Sequence, residues 1–292
     1  MLWLAATLFA AATALHHPQP EVLFAVQPGG DSQGDFSPDK LAIEPVAMIT
    51  KLPGSCPGCL KLRITAPPGD ADDEFEARYF RKGRTYRVLD GGAEIGTVKV
   101  TKLTSLGCVS LAASVDVTSR SNWDPQLLSV LAVGSMHLPP VTPVRRVPDD
   151  AEDRALRKIA EHELSARGVP KSLLAKMEGG AAISADLDHD GHRDLIGSFS
   201  TNDGTPQRRT YNLFLIAMGD ESGGFRAERV WYFTYLGDGG EAKDVVDTID
   251  LDEDGTDEIV VRSRFIESHE YEILKRAGNK WKSVYKGGGS GC

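Results

Sequence analysis

The sequence predicts a mainly β protein with one amphipathic helix, in which an N-terminal β domain is followed by a C-terminal pair of similar β units. Three observations support this fold class. Apolar and β-branched segments separated by turn residues recur over residues 41–138. Residues 149–167 have the apolar spacing of a helix. From residue 179 onward the apolar period returns to two, and one acidic motif occurs twice.

The composition is that of an ordinary globular protein. The 292 residues are enough for one or two domains, each with its own core. Hydrophobic residues make up 41% of the chain and charged residues 26%, which argues against global disorder and against a collagen-like chain. The formal net charge of −9 disfavours nucleic acid and anionic membranes as partners, because like charges repel.

The N-terminus has the pattern of an export signal. Residues 2–14 form an apolar run that ends in the small-residue site Ala12-Thr13-Ala14, although no Lys or Arg precedes it. We predict a signal peptide over residues 1–14 and a secreted, periplasmic or cell-surface protein; a buried N-terminal strand or helix is the alternative. Residues 15–40, rich in Pro, Gly, Asp, Ser and Gln, are predicted to form a flexible leader. No other apolar run is long enough to span a membrane.

The β domain predicted over residues 41–138 is of unknown type. Its strand-like segments are IEPVAMIT, LKLRITA, RTYRVL, EIGTVKV, CVSLAASVDV and LLSVLAV. The clearest hairpin joins RTYRVL to AEIGTVKV through Asp90-Gly91-Gly92, because glycine supplies the positive φ that tight turns need.

The four cysteines are Cys56, Cys59, Cys108 and Cys292. An even number in an exported chain suggests two disulfides, for which three connectivities are possible. The CPGC segment lies between two strand-like flanks, whereas a thioredoxin-like redox motif opens a helix. We expect a Cys56–Cys59 disulfide across the Pro-Gly turn, which leaves Cys108 to pair with Cys292. A thiol–disulfide protein that uses CPGC is the alternative.

Residues 139–178 are predicted to be a Pro-rich linker followed by the helix. Acidic residues crowd the first turn of residues 149–167 and suit the helix dipole. Leu156, Ile159, Ala160 and Leu164 form the apolar stripe, and Gly168 is placed to end the helix. A short second helix is expected over residues 172–177.

The repeated acidic motif lies in the last third of the chain. ADLDHDGHRDLIG begins at Ala185, and IDLDEDGTDEIVV begins at Ile249, 64 residues later. Each is followed by strand-like segments, so residues 179–292 are predicted to contain two copies of one β unit. Positions 1, 3, 5, 7 and 9 are occupied in the first loop by Asp186, Asp188, Asp190, His192 and Asp194, and in the second by Asp250, Asp252, Asp254, Thr256 and Glu258.

These positions suit a calcium ion. Calcium takes about 6–8 oxygen ligands, and carboxylates at alternate residues of a loop can turn inward around one ion. Gly at position 6 permits the sharp reversal, and position 7 contributes its backbone carbonyl. Because the carboxylates repel one another without a cation, the sequence predicts two Ca²⁺ ions, one in each loop. A solvated acidic turn is the alternative. The loops are not EF-hands, because position 12 is Gly197 or Val261 rather than Glu.

The two motifs resemble FG-GAP/VCBS-type repeats, the calcium-loop β units found in integrin α-subunit propellers and in many bacterial secreted proteins. The resemblance covers residues 179–292 and implies a strand–loop–strand hairpin with calcium in its loop. A propeller needs about four to eight blades. The two repeats here therefore predict a pair of blade-like sheets packed on each other or on the helix.

The sequence has no recognisable catalytic motif. GxSxG, P-loop and dinucleotide fingerprints are missing, and Ala166 stands where an HExxH motif starting at His162 needs its second His. We expect a secreted calcium-binding, non-catalytic module with a structural or adhesive role, whose partner is an unknown extracellular protein or glycan. A secreted enzyme with its active site in residues 41–138 is the alternative.

Overall fold

The computed structural model describes residues 19–30, 36–55, 59–69, 72–106, 109–119, 129–138, 145–205, 208–237 and 240–291. The protein is mainly β, with 59% strand and 12% helix. The predicted signal peptide, residues 1–14, and Cys56, Cys108 and Cys292 lie outside the described residues. Export and the pairing of the cysteines therefore stay predictions.

The N-terminal β domain is a six-stranded antiparallel barrel. Its sheet has the order β1-β7-β4-β5-β6-β2-β3, and β1 also pairs with β2, which closes the barrel and leaves β3 at the edge. The strands are β1 Glu21–Gly30, β2 Phe36–Pro53, β3 Leu60–Thr65, β4 Thr85–Asp90, β5 Ala93–Leu106, β6 Val109–Ser119 and β7 Val130–Val133.

The barrel contains a strand and a helix that the sequence analysis did not predict. Residues 15–40 were expected to be a flexible leader, but β1 lies in this segment and residues 22–26 are buried. Val22, Phe24 and Val26 face the interior of the barrel, while Leu23 and Ala25 pack outside it, so the strand is apolar on both faces. The short helix α1, Asp73–Tyr79, adds Phe75 and Tyr79 to the same interior. Seven residues are too few to show a helical period.

Two predicted hairpins are present in the barrel. Asp90 pairs with Ala93 across Gly91 and Gly92, which have φ values of 58° and 78°. Strands β2 and β3 flank the CPGC segment, and the Gly54 N–H donates to the carbonyl of Cys59 at 2.8 Å. Cys59 is therefore followed by a strand rather than by the helix of a thioredoxin-like motif.

In the part of the chain that the structure describes, the C-terminal region contains two helices and two four-stranded antiparallel sheets. The first sheet comprises β8 Glu178–Ala185, β9 Asp194–Asn202, β10 Arg209–Gly219 and β11 Phe225–Leu236. The second sheet comprises β12 Ala242–Ile249, β13 Glu258–Arg264, β14 Ser268–Ala277 and β15 Lys280–Gly291. In both sheets neighbours in sequence are neighbours in space.

The predicted amphipathic helix is α2, Asp150–Ala166. Asp149 and Glu152 form a capping box at its start, and Gly168 has a φ of 82° beyond its end. Leu156, Ala160 and Leu164 are fully buried against the first sheet. The shorter helix α3, Lys171–Leu174, follows. No helix among the described residues is long and apolar enough to cross a membrane.

The elements form consecutive layers. The helices α2 and α3 cover one face of the first sheet, and its other face packs on the second sheet through residues such as Ile196 and Ile259. The opposite face of the second sheet packs on the barrel, where Val260 and Tyr271 contact the cluster that includes Leu23. The second sheet is therefore the central layer, which places its acidic loop beside the barrel.

Candidate cation site

Both acidic loops connect the first strand of a sheet to the second. The first loop, residues 186–194, runs from β8 into β9, and the second, residues 250–258, runs from β12 into β13. Each loop begins directly after a strand with buried apolar residues, and position 9 is the first residue of the next strand. The strand–loop–strand arrangement expected from the sequence is present in both copies.

The two loops have the same backbone conformation. At position 4, His189 and Glu253 have φ values of 56° and 61°, and they are the only non-glycine residues with positive φ in the described part of the chain. Gly191 and Gly255 at position 6 have φ values of 90° and 83°. A non-glycine residue in this region is unusual, so its occurrence at the same position of both loops indicates one shared turn geometry.

The carboxylate at position 1 holds the turn closed. Asp186 accepts hydrogen bonds from the backbone N–H groups of Asp190 at 3.1 Å and Gly191 at 3.0 Å. Asp250 accepts the equivalent bonds from Asp254 at 3.1 Å and Gly255 at 3.0 Å. These bonds orient the first carboxylate toward the centre of its loop.

The carboxylate at position 9 is buried in both loops. Asp194 accepts from the N–H groups of Leu187 and Gly219, both at 2.8 Å, and Glu258 accepts from Leu251 at 2.8 Å. Burial raises the pKa of Asp194 to about 7, although the two N–H groups oppose this rise. Ionisation of the buried Asp194 carboxyl therefore costs free energy, and a cation bound nearby would offset this cost.

Gly219 is a site residue that sequence reasoning missed. A Cβ atom at this position would lie 2.1 Å from the backbone carbonyl oxygen of Arg193, which rules out a side chain without movement of the backbone. The close approach lets the Gly219 N–H reach Asp194. Gly219 ends β10, so its contact with the first loop is visible only in the folded chain.

Three carboxylates come together in each loop. Oxygens of Asp186, Asp188 and Asp194 lie within 4.8 Å of one another, and so do oxygens of Asp250, Asp252 and Asp254. The other predicted ligands are not part of these groups: Asp190, His192, Thr256 and Glu258. The backbone N–H groups of His192 and Thr256 instead donate to the position-5 carboxylates, at 2.8 Å and 3.0 Å.

The second loop also holds a lysine from another strand. Lys275 of β14 donates from Nζ to Asp252 at 2.8 Å and to Asp254 and Glu258 at 2.7 Å. Although burial opposes its charge, the hydrogen bonds to these three carboxylates raise the pKa of Lys275 above its ordinary value. Sequence reasoning missed this residue, because Lys275 lies 17 positions after Glu258.

The first loop has no lysine at the equivalent position. Leu195 pairs with Ala217, and Ile259 pairs with Leu274, so the residue that corresponds to Lys275 is Met218. Arg276 of β14 is a cation that contacts the first loop. Its guanidinium lies 2.5 Å from one oxygen of Asp188 and also donates to Glu228.

One oxygen of Asp188 distinguishes the first loop. Oδ1 of Asp188 is buried, and the described residues supply no hydrogen-bond donor to it. An oxygen-only donor set that includes an unsatisfied buried carboxylate oxygen fits a hard cation such as calcium. The second loop offers the same kinds of oxygen, but three of its carboxylates already bind the Lys275 ammonium.

The two loops contact each other and the barrel. The Asp257 N–H donates to the Leu187 carbonyl at 2.7 Å, and the His189 ring lies 3.2 Å from the Asp257 carboxylate. Burial raises the pKa of Asp257 to about 6. Lys51 of β2 forms an ion pair with Glu253 at 2.8 Å. The loops therefore lie side by side at one edge of the two sheets, next to the barrel.

A second polar cluster joins the barrel to the second sheet. The buried carboxylate of Glu44 accepts hydrogen bonds from Gln27, His269 and Tyr271 at distances of 2.6–2.9 Å. These donors satisfy both oxygens of Glu44, so the cluster is a structural contact between the two parts of the chain. The sequence contained no local signal for it, because Glu44 and His269 lie 225 positions apart.

A scan of family models and searches of curated proteins and of solved structures gave no significant match to this chain.

Proposed function

We propose that this protein is an exported, non-catalytic calcium-binding module, and that its first loop is the main calcium site. The observation that carries the proposal is the repeated geometry of the two loops. Both have positive φ at positions 4 and 6, and each brings three carboxylates within 4.8 Å of one another, at positions 1, 3 and 9 in the first loop and at positions 1, 3 and 5 in the second. Chance acidic turns have no reason to repeat an unusual backbone conformation at matching positions.

In this proposal the first loop holds the ion through its own oxygens. Asp186, Asp188, Asp190 and Asp194 supply carboxylates, and His192 supplies its backbone carbonyl. The bound calcium would neutralise the repulsion among these carboxylates and engage the unpaired oxygen of Asp188. The second loop has the same donor types in Asp250, Asp252, Asp254, Thr256 and Glu258, but there an ion competes with Lys275.

The proposed role of calcium is structural. The loops contact each other through Asp257 and Leu187, and Lys51 links the second loop to the barrel. An ion that fixes the first loop also fixes the edge where both sheets meet the barrel. We propose that the chain belongs with FG-GAP/VCBS-type modules, and that this ordered edge supports binding to an extracellular protein or glycan.

Equilibrium dialysis with metal counting tests the proposal on the full chain after treatment with chelator. Calcium should bind with an affinity of about 10⁻⁴–10⁻³ M, as in extracellular modules, and magnesium should substitute poorly because it requires a tighter octahedron. At free calcium tenfold above the dissociation constant, one site adds about 1.4 kcal/mol to the free energy of unfolding. The melting temperature should therefore rise with calcium.

Asp188→Ala should abolish calcium binding to the first loop and the associated rise in melting temperature. Asp203→Ala is the matched control, because Asp203 is an exposed aspartate in a turn outside both loops. A protein that binds no calcium and melts at the same temperature in calcium and in chelator would show that the loops are only acidic turns.

A further inference from the structure

The second loop already contains a cation that the protein itself supplies. The Lys275 ammonium binds Asp252, Asp254 and Glu258, which are positions 3, 5 and 9 of the loop. We infer that Lys275 fills the cation position of the second loop, so that the chain takes one calcium ion, and that loss of the Lys275 charge opens the second loop to another. The inference depends on the proposed function in one respect, namely the calcium ion expected in the first loop.

The comparison of the two loops shows Lys275 as a clear difference in charge between them. The backbone turns match, the position-1 carboxylates accept equivalent bonds, and the position-9 carboxylates are buried in both. At the strand position that corresponds to Lys275, the first sheet has the neutral side chain of Met218. Arg276 contacts a single carboxylate of the first loop, whereas Lys275 contacts three in the second.

A calcium ion and the ammonium cannot share the second loop. Both would lie among the same carboxylates, within a few ångströms of each other, where two positive charges repel strongly. Lys275 is tethered to a central strand of the second sheet, so its effective concentration at the loop is high, whereas free calcium must be captured from solution. Because sites of this class bind calcium only weakly, a tethered competitor is enough to exclude the ion.

Among the described residues, the cavity beside the second loop does not favour a displaced ammonium. A cavity of about 500 Å³ lies beside the second loop, between β3 and the second sheet, and both Asp252 and Lys275 line it. Among the described residues that line it, Asp252 is the only acidic one, and Lys61 and Arg63 also belong to the lining. An ammonium that left the carboxylates would therefore come closer to the positive charges of Lys61 and Arg63.

The test measures how many calcium ions bind to the full chain and to its Lys275→Met variant. Methionine is chosen because Met218 occupies the equivalent position of the first sheet. We expect one ion in the parent protein and two in the variant. In chelator the variant should melt at a lower temperature than the parent, because three carboxylates lose their counter-ion, and calcium should restore part of that loss. Lys275→Arg is the control that keeps the charge, and it should bind one ion.

The gain of an ion in Lys275→Met tests the inference, while loss of an ion in Asp188→Ala tests the proposed function. If the parent protein binds two ions, Lys275 does not exclude calcium, and the inference is overturned while the proposed function stands. If Lys275→Met binds no more calcium than the parent, the inference is also overturned. If the parent binds none and Lys275→Met binds one, the inference holds and the proposed site in the first loop fails.

A second variant covers the case in which Lys275→Met does not fold. Asp252→Ala removes a carboxylate of the second loop and keeps the lysine. If Lys275 fills this loop, Asp252→Ala should bind the same single ion as the parent. A drop from two ions to one would show that calcium occupies the second loop and would overturn the inference.

Discussion

Lys275 and Arg276 are consecutive residues of β14, and each of them reaches a different acidic loop. Lys275 binds three carboxylates of the second loop, while Arg276 binds Asp188 of the first loop. The arrangement follows from strand geometry, because successive side chains point to opposite faces of a sheet. Lys275 therefore lies on the barrel side of the second sheet, and Arg276 lies on the side of the first sheet. One strand thus supplies a positive charge to both loops.

Arg276→Leu should strengthen calcium binding to the first loop. The guanidinium lies 2.5 Å from Asp188, so it competes with an incoming cation for that carboxylate. Removal of a partly exposed competing charge worth about 1 kcal/mol corresponds to an affinity about fivefold higher, measured by calorimetric titration. Arg226→Leu is the control, because Arg226 also pairs with Glu228 but is not a partner of Asp188. Unchanged or weaker binding in Arg276→Leu would contradict this role of Arg276.

Gly219→Ala should destabilise the first sheet and weaken its calcium site. The new Cβ would lie 2.1 Å from the Arg193 carbonyl oxygen, so the backbone must move and the bond from the Gly219 N–H to Asp194 is disturbed. Overpacking of this kind costs about 1–3 kcal/mol. Urea unfolding measures the loss, and calcium titration measures the affinity. In the control Gly69→Ala the added Cβ has no non-neighbouring atom of the described residues within 4 Å, and equal stability of the two variants would argue against the close approach at Gly219.

Arg145→Met should be among the most damaging single substitutions in the interface between the barrel and the second sheet. The Arg145 side chain is 1% exposed and forms an ion pair with the buried Asp247 at 2.7 Å. Asp247 also accepts a hydrogen bond from the Gly91 N–H of the β4–β5 turn. Removal of one partner leaves a buried charge, which costs about 3–5 kcal/mol. The control, Arg157→Met, removes a side chain that is 37% exposed and pairs with the 50% exposed Asp153, so it should cost about 1 kcal/mol or less. Similar denaturation midpoints for the two variants would refute the prediction.

The anchoring of α2 should depend on pH. Burial raises the pKa of Glu152, but the hydrogen bonds from Arg146, the Asp149 N–H and Ser184 outweigh burial, so the pKa is below its ordinary value. An acid whose pKa is lowered by folding contributes stability above its ordinary pKa, and this contribution is lost as the pH falls through the lowered value. The parent protein should therefore be more stable than Glu152→Gln at pH 7, and the difference should shrink below about pH 4.5. Urea unfolding at several pH values measures it, and a difference that is constant with pH would show that the carboxylate charge of Glu152 has no role.

The sequence by itself determined the features that depend on neighbouring residues. The two DxDxDG motifs predicted loops with strands on both sides, Asp90-Gly91-Gly92 predicted a hairpin turn, and the stripe that includes Leu156 and Leu164 predicted α2. Each signal repeats with the period of one element or lies within one turn, so a single stretch of sequence contains it. The same local reasoning failed for β1, because Pro and Gly around it obscured a strand that is apolar on both faces.

Only the tertiary structure decided which groups meet at the two loops. Nothing near the second loop in sequence indicates that Lys275 enters it, or that Met218 occupies the matching position beside the first. The closure of the barrel by pairing of β1 with β2 and the contact between Asp257 and Leu187 likewise join residues from different strands or loops. Such contacts depend on strand register and on the packing of whole layers, which bring together residues that are far apart in sequence. For this reason the two loops have matching motifs and different surrounding charges.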